Sequence, residues 1–244
     1  MSIQGLTIDT DVETGNQDTI GGGGFIKDTG LYPMLVDMAY LGKSAKGAMS
    51  LNMHFRVVNG DARLVRQTIY ITSGDTKGNK NYYIHSKTKK KHLLPGAALA
   101  DQISRVLTGL PMAGLTPETK TIKLWDFASQ AEKPTEVAAI TEMIGKQIAV
   151  GLVKCRTNKA QLNDQTGKYE DTNDVRELNE ISKVFYPDGF SVAERAAEAD
   201  APEFKETWLK RFTPDFVEDT YKAVEVAPDA DALPSSEATS SLFA

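Results

Sequence analysis

The run Lys87-Thr88-Lys89-Lys90-Lys91-His92 follows directly on Tyr82-Tyr83-Ile84-His85, and cations beside rings are the pairing in this chain with the clearest chemistry. Ammonium groups follow phosphates and aromatic faces stack on bases. Together they make a surface that holds a single nucleic-acid strand whatever its sequence, each stacked base contributing roughly 1–3 kcal/mol. A lysine run alone is commonly a solvated loop, so its aromatic neighbourhood is what gives this one meaning. The other reactive residue types lack partners at useful spacing. Gly42-Lys43-Ser44 resembles the end of a phosphate-binding loop, but the glycine required five residues earlier is Asp37. His54, His85 and His92 have no helical ligand spacing, and a metal site built on them needs carboxylates that the basic segment does not supply. Cys155, the only cysteine, excludes an intrachain disulfide and a multi-cysteine zinc site, and reads as a core filler near a strand end. Glu177 and Glu180 fit a solvated face better than a catalytic pair. No nucleophile–base set can be assembled, so the expectation is a protein without catalytic activity, cofactor or metal.

Charge is sorted along the chain. Residues 25–95 hold twelve Lys or Arg against four Asp, whereas residues 187–244 hold thirteen acids against five bases, and the last 22 residues contain no base. The formal net charge of −5 therefore hides a basic module tethered to an acidic tail. A basic surface points to a polyanion partner, and an acidic tail to something that competes with it or recruits partners. Hydrophobic content of 41% and charged content of 25% suit a globular protein, and no apolar run approaches the roughly 18–20 residues of a membrane helix. Residues 1–19 are polar and acidic, without the basic and apolar regions of a secretory signal, so a reducing cytoplasm is the expected location.

The elements that must position the basic and aromatic residues are mostly strands. Residues 1–24 lack periodicity and end in four glycines, a flexible entry segment. Leu31 to Leu41 reads as a strand with Pro33 at an edge or start. Met49 to Val57 alternates strictly, with Met49, Leu51, Met53, Phe55 and Val57 on the apolar face and Ser50, Asn52, His54 and Arg56 on the polar one. Asn59-Gly60-Asp61 makes a hairpin turn, and the chain returns over Arg63 to Thr72. On this strand Val65, Ile69 and Ile71 oppose Arg66, Thr68, Tyr70 and Thr72. A turn over Ser73 to Asn81, holding Lys77 and Lys80, leads to a short strand Tyr82–His85 and the lysine loop. One of Tyr82 and Tyr83, on opposite faces, is expected in the core. Helical spacing over Pro95 to Leu107 follows, then a strand over Thr121 to Phe127 and a helix from Pro134 to Ile144 ended by Gly145. Strands are expected over Gln147 to Cys155 and Glu177 to Tyr186, with a turn at Asn163 to Gly167.

Beyond Pro187 the pattern becomes helical, with a capping box at Ser191 and Glu194 and a second helix start at Thr213-Pro214. Phe204, Trp208 and Phe212 recur on one helix face that must be buried. Residues 225–244 have a disordered composition and end in an apolar tip, Leu242-Phe243.

Three strands, a helix and two strands follow the order of the OB-fold, a five-stranded Greek-key barrel. The expected architecture is thus a β-rich α+β chain: a flexible segment 1–24, an OB-like nucleic-acid-binding domain 25–188 with helical insertions, a helical extension 189–224 and a disordered acidic tail 225–244. In that barrel the outward face displays Asn52, His54, Arg56, Arg66 and Tyr70, flanked by Lys77, Lys80, Tyr82, Tyr83, Lys87, Lys89, Lys90 and Lys91. These are the candidate DNA-binding residues.

The chain also resembles a known family through Ile122-Lys123-Leu124-Trp125-Asp126-Phe127, Pro134-Thr135-Glu136-Val137, Ile144-Gly145-Lys146, Val150-Gly151-Leu152, Asn179-Glu180-Ile181 and Lys183-Val184-Phe185. These are similar to segments of the single-stranded DNA-binding proteins of tailed bacteriophages, clearly over about a quarter of the chain. The resemblance implies an OB-type core and sequence-independent binding of single strands in DNA replication, recombination and repair. It also implies a tail that recruits replication or recombination proteins, here through Leu242 and Phe243, although Phe243 is penultimate where the family often ends in an aromatic. An alternative function from another class is a structural or recruitment protein whose basic strands dock an acidic protein partner while the terminal helices oligomerise.

Overall fold

The strict alternation at Met49–Val57 produces a strand flanked on both edges. In the computed structural model, which describes residues 26–60, 64–126, 129–163 and 167–224, β2 (Met49–Val57) lies between β1 (Gly30–Lys43) and β3 (Leu64–Tyr70), antiparallel to both. Leu51, Met53 and Phe55 are fully buried, as their period requires. Asn59 takes positive φ and Gly60 N–H donates to Val57 C=O at 3.2 Å, opening the expected turn; its third residue, Asp61, and Arg63 lie outside the described residues.

Short elements follow. β4 (Tyr82–Ile84) pairs with β5 (Lys91–Leu93) as a separate two-stranded ribbon, so Lys91 and His92 belong to a strand rather than to the loop expected there. α1 (Pro95–Thr108) starts on a proline and ends at Gly109 in the left-handed region, as its sequence predicts. It buries Ala100, Ile103 and Leu107 in the main core with β1, β2 and β3.

The helix expected over Pro134 to Ile144 is instead a strand. β6 (Glu118–Asp126) and β7 (Ala131–Ala139) form a hairpin, followed by a single 3₁₀ turn at Thr141–Met143. Pro134 is tolerated because β7 touches β1 only at Ala138 and Ala139. At Pro134 one edge faces β6, and among the described residues the other edge pairs with no strand.

β8 (Gln147–Asn163) and β9 (Lys168–Phe185) are far longer than the apolar runs that announce them. Their polar halves extend as a ribbon. Residues 164–166, the centre of the expected turn, lie outside the described residues. The apolar run of β8 is buried on both faces, which explains its lack of alternation. Ile148, Val150 and Leu152 enter the main core; Ala149, Val153 and Cys155 enter a second one.

That second core is closed by α3 (Glu203–Arg211), which follows the capped turn of α2 (Val192–Ala196). Ser191 and Glu194 make the expected capping box. Trp208 lies directly over Gly151, where an added Cβ would stand 2.7 Å from its ring, and against Phe185 and Phe212. The second helix start expected at Thr213-Pro214 is a turn instead. It delivers β10 (Val217–Asp219) parallel to β8, so the extension is not wholly helical.

Among the described residues the strands other than β4 and β5 form one mostly antiparallel eight-stranded sheet in the path β10-β8-β1-β2-β3, with β9 on β8, β7 on β1 and β6 on β7. This sheet does not close into a barrel. β3 and β9 face each other across a cleft of about 840 Å³, spanned by Gln67 Nε2 donating to Asn179 C=O at 2.9 Å. The segments expected to be flexible or disordered, residues 1–24 and 225–244 with Leu242 and Phe243, lie outside the described residues.

Candidate nucleic-acid interface

The polar face of β2 and β3 is built by register. Asn52 pairs with Thr68 and His54 with Arg66, so the four side chains form a block on one face. Thr68 Oγ1 donates to Asn52 Oδ1 at 2.9 Å, and the Asn52 amide donates to Ser50 Oγ at 3.2 Å. Gly42 on β1 leaves the room: a Cβ there would stand 2.5 Å from Asn52 Nδ2. The Gly42-Lys43 pair is thus the end of a strand, not a phosphate loop.

A β-bulge in β1 decides what joins this face. The register slips between Val36 and Met38, leaving Asp37 as the extra residue. Asp37 accepts an ion pair from Arg56 at 2.7 Å, so Arg56, though exposed on the expected face, is already neutralised. Past the bulge, Tyr40 comes opposite Asn52 and meets His54 edge-on, with ring centroids 6.2 Å apart. Burial, then the Arg66 charge, lowers the His54 pKa below the usual imidazole value, and Asp37 offsets this in part. Burial likewise raises the Tyr40 phenol, with Arg66 opposing.

The β6–β7 hairpin completes the site. Because β7 joins β1 at Tyr40 and Leu41, the hairpin reaches beside the β2–β3 face. A concavity of about 510 Å³ lies between them, lined by Tyr40, Asn52, His54, Arg66, Trp125 and Glu132 among others. Lys123 is also at its wall. Trp125 keeps 48% of its surface exposed, against 4% for Trp208.

No family model, curated protein or solved structure matches this chain. The site therefore rests on its geometry.

The remaining expected residues are distributed around this centre. Tyr70 points from the far end of β3 on the same face as Arg66 and Thr68, 54% exposed, beside the β3–β9 cleft. At about 3.3 Å per residue, it stands roughly 13 Å along the strand from Arg66. Lys77 and Lys80 are exposed in the connector, and Lys80 lies at the mouth of a separate cleft against α1. The β4–β5 ribbon carries the rest. Tyr83 is exposed and Tyr82 half-buried, so neither ring is in the core as one was expected to be. Lys91 Nζ sits 4.6 Å from the Tyr82 ring centroid, and His92 stacks on Tyr83 at 5.7 Å. Lys89 takes positive φ in the tight turn that presents Lys87, Lys89 and Lys90 to solvent. Among the described residues, none of Lys77, Lys80, Lys87, Lys89, Lys90 and Lys91 forms an ion pair.

Tyr40, Lys123 and Trp125 were not among the expected interface residues. Tyr40 reaches the face only through the bulge, and the β6–β7 residues only through a long-range strand pairing. The one sequence signal that touched Trp125 was the resemblance of its segment.

Proposed function

We propose that this protein binds single-stranded DNA without strict sequence requirement and protects it during replication, recombination and repair, as the bacteriophage resemblance implies. The observation that carries the reading is the grouping of rings with cations on one open face. Trp125 and Tyr40 stand with Arg66 and Lys123, and Thr68 and Tyr70 extend the same face along β3; the separate β4–β5 ribbon adds Tyr82, Tyr83 and unpaired lysines. Rings supply stacking platforms and cations follow the backbone, so affinity needs no base-edge code. The path β1-β2-β3-α1-β8-β9 reads as an OB-type order, with the β4–β5 ribbon and the β6–β7 hairpin inserted and the seam left open between β3 and β9. An acidic protein partner would engage the lysines but leave the rings idle. The apolar face of α3 that such a recruitment protein would use to oligomerise is largely spent within the chain, on Phe185 and Gly151. No cofactor or catalytic step is needed for this role, and the host bacterial cytoplasm is its setting if the gene is a phage's. Among the described residues, no helix is long and apolar enough to cross a membrane. A native gel shift with a labelled homothymidine oligonucleotide tests the proposal: a retarded complex supports it, and free oligonucleotide at all protein concentrations refutes it.

A further inference from the structure

Glu132 does not belong on a surface that only follows phosphates. It stands directly opposite Trp125 in the β6–β7 register, lines the same concavity as Arg66, and is exposed. Among the described residues, neither the Glu132 carboxylate nor the Arg66 guanidinium has a hydrogen-bond or ion-pair partner. A carboxylate there repels the strand's backbone, yet it shares one concavity with a ring and a cation. The three groups ask for a flat ligand with donors on one edge and acceptors on another. Guanine has this pattern: N1–H and the N2 amino group are donors for a carboxylate, O6 and N7 are acceptors for a guanidinium, and the purine face is a platform for indole. Cytosine and adenine offer a carboxylate only an amino group, and thymine a single N–H. The concavity of about 510 Å³ has room for one base and part of its sugar.

We infer that the pocket between the β2–β3 face and the β6–β7 hairpin takes one unstacked guanine, held by Glu132 and Arg66 and covered by Trp125. The inference rests on the single-strand reading and adds to it one preferred base within an otherwise tolerant face. Guanine can come from a strand or from a free nucleotide, so the test separates the two. Fluorescence anisotropy compares a homothymidine oligonucleotide with versions carrying one central guanine, hypoxanthine, adenine or cytosine, and free dGMP is added both as competitor and, with indole quenching as the readout, as a ligand by itself.

The expected result is roughly tenfold tighter binding of the guanine oligonucleotide, the scale of one good bidentate base contact. Hypoxanthine, which lacks the N2 amino group, should lose most of that gain. Glu132→Gln should abolish the preference, so that the guanine and homothymidine oligonucleotides bind the variant alike; because the residue is exposed, the variant's melting temperature serves as the folding control. Competition by dGMP at micromolar concentration, absent in Glu132→Gln, would assign the pocket to the free nucleotide as well. If homothymidine binds and the guanine version binds no better, the pocket inference is overturned and the single-strand reading stands. If neither oligonucleotide nor dGMP binds, both are overturned. If dGMP alone binds, the pocket survives and the single-strand reading falls.

Discussion

The two tryptophans of this chain sit in opposite environments, and under the proposed function replacing them one at a time separates binding from folding. Trp208 is sealed at 4% exposure over Gly151, with Phe185 and Phe212 around it, whereas Trp125 leaves 48% of its surface open beside Arg66 and Tyr40. Truncating a buried Trp costs about 3–5 kcal/mol of stability, a large part of the typical 5–15 kcal/mol of a whole domain. Trp208→Ala should therefore unfold at markedly lower denaturant concentration, or fail to fold. Trp125→Ala removes a half-open ring with little core packing and should change stability little. Its loss should appear in DNA affinity, at roughly 1–3 kcal/mol, or about 5- to 150-fold. The milder variants Trp125→Phe and Trp208→Phe each leave one indole to report. With excitation at wavelengths tyrosine does not absorb, adding poly(dT) should quench Trp208→Phe, whose remaining indole is Trp125, and leave Trp125→Phe unchanged. Quenching that persists in Trp125→Phe, or is absent from Trp208→Phe, would refute the assignment of Trp125 as a stacking platform.

Three further outcomes follow from the same geometry. Replacing Lys87, Lys89, Lys90 and Lys91 together by Ala should weaken binding to all single strands alike. It should also flatten the slope of log K against log salt by roughly 0.7 for each phosphate that is no longer neutralised, and an unchanged slope would mean a merely solvated turn. Tyr70→Ala, removing a ring that is 54% exposed, should cost roughly 1–3 kcal/mol of affinity with little shift in melting temperature, both read on one sample. The His54 imidazole has a lowered pKa in the folded chain, so as pH falls below about 6.5 the unfolded chain takes up the proton first. Stability is therefore greatest above that pH and declines as pH drops through the lower folded value. Urea melts at about pH 7.5 and pH 5.5 should show a smaller loss in His54→Gln than in the wild type.

Much of the fold was legible where burial is one-sided. β2 alternates because one face meets the core and the other solvent, and α1 carries both its apolar stripe and its terminal Pro and Gly signals. Legibility failed where neighbours distant in sequence decide. Pro134-Thr135-Glu136-Val137 reads as a helix start, but pairing with β6 makes it a strand segment paired on one edge among the described residues, where a proline is tolerated. The outer halves of β8 and β9 carry no apolar pattern because little covers them, so only their mutual pairing reveals them. The candidate site divides the same way. Asn52, His54 and Arg66 were visible as the polar phase of two adjacent strands. Tyr40 needed the Asp37 bulge, and Trp125 and Glu132 needed the β7–β1 junction, neither of which local periodicity encodes. The ion pair that removes Arg56 from the free cations also comes from that bulge.

On the proposed function, this open face recognises an unpaired strand through its bases as well as its phosphates. Fluorescence anisotropy with a labelled single-stranded oligonucleotide and its duplex of equal length tests it most directly, at low and at physiological salt. Rings can stack only on bases that are not already paired, so the single strand should bind tightly and the duplex much more weakly. The preference should persist as salt screens the lysines. Equal affinity for both forms, or no binding of the single strand at low salt, would contradict it.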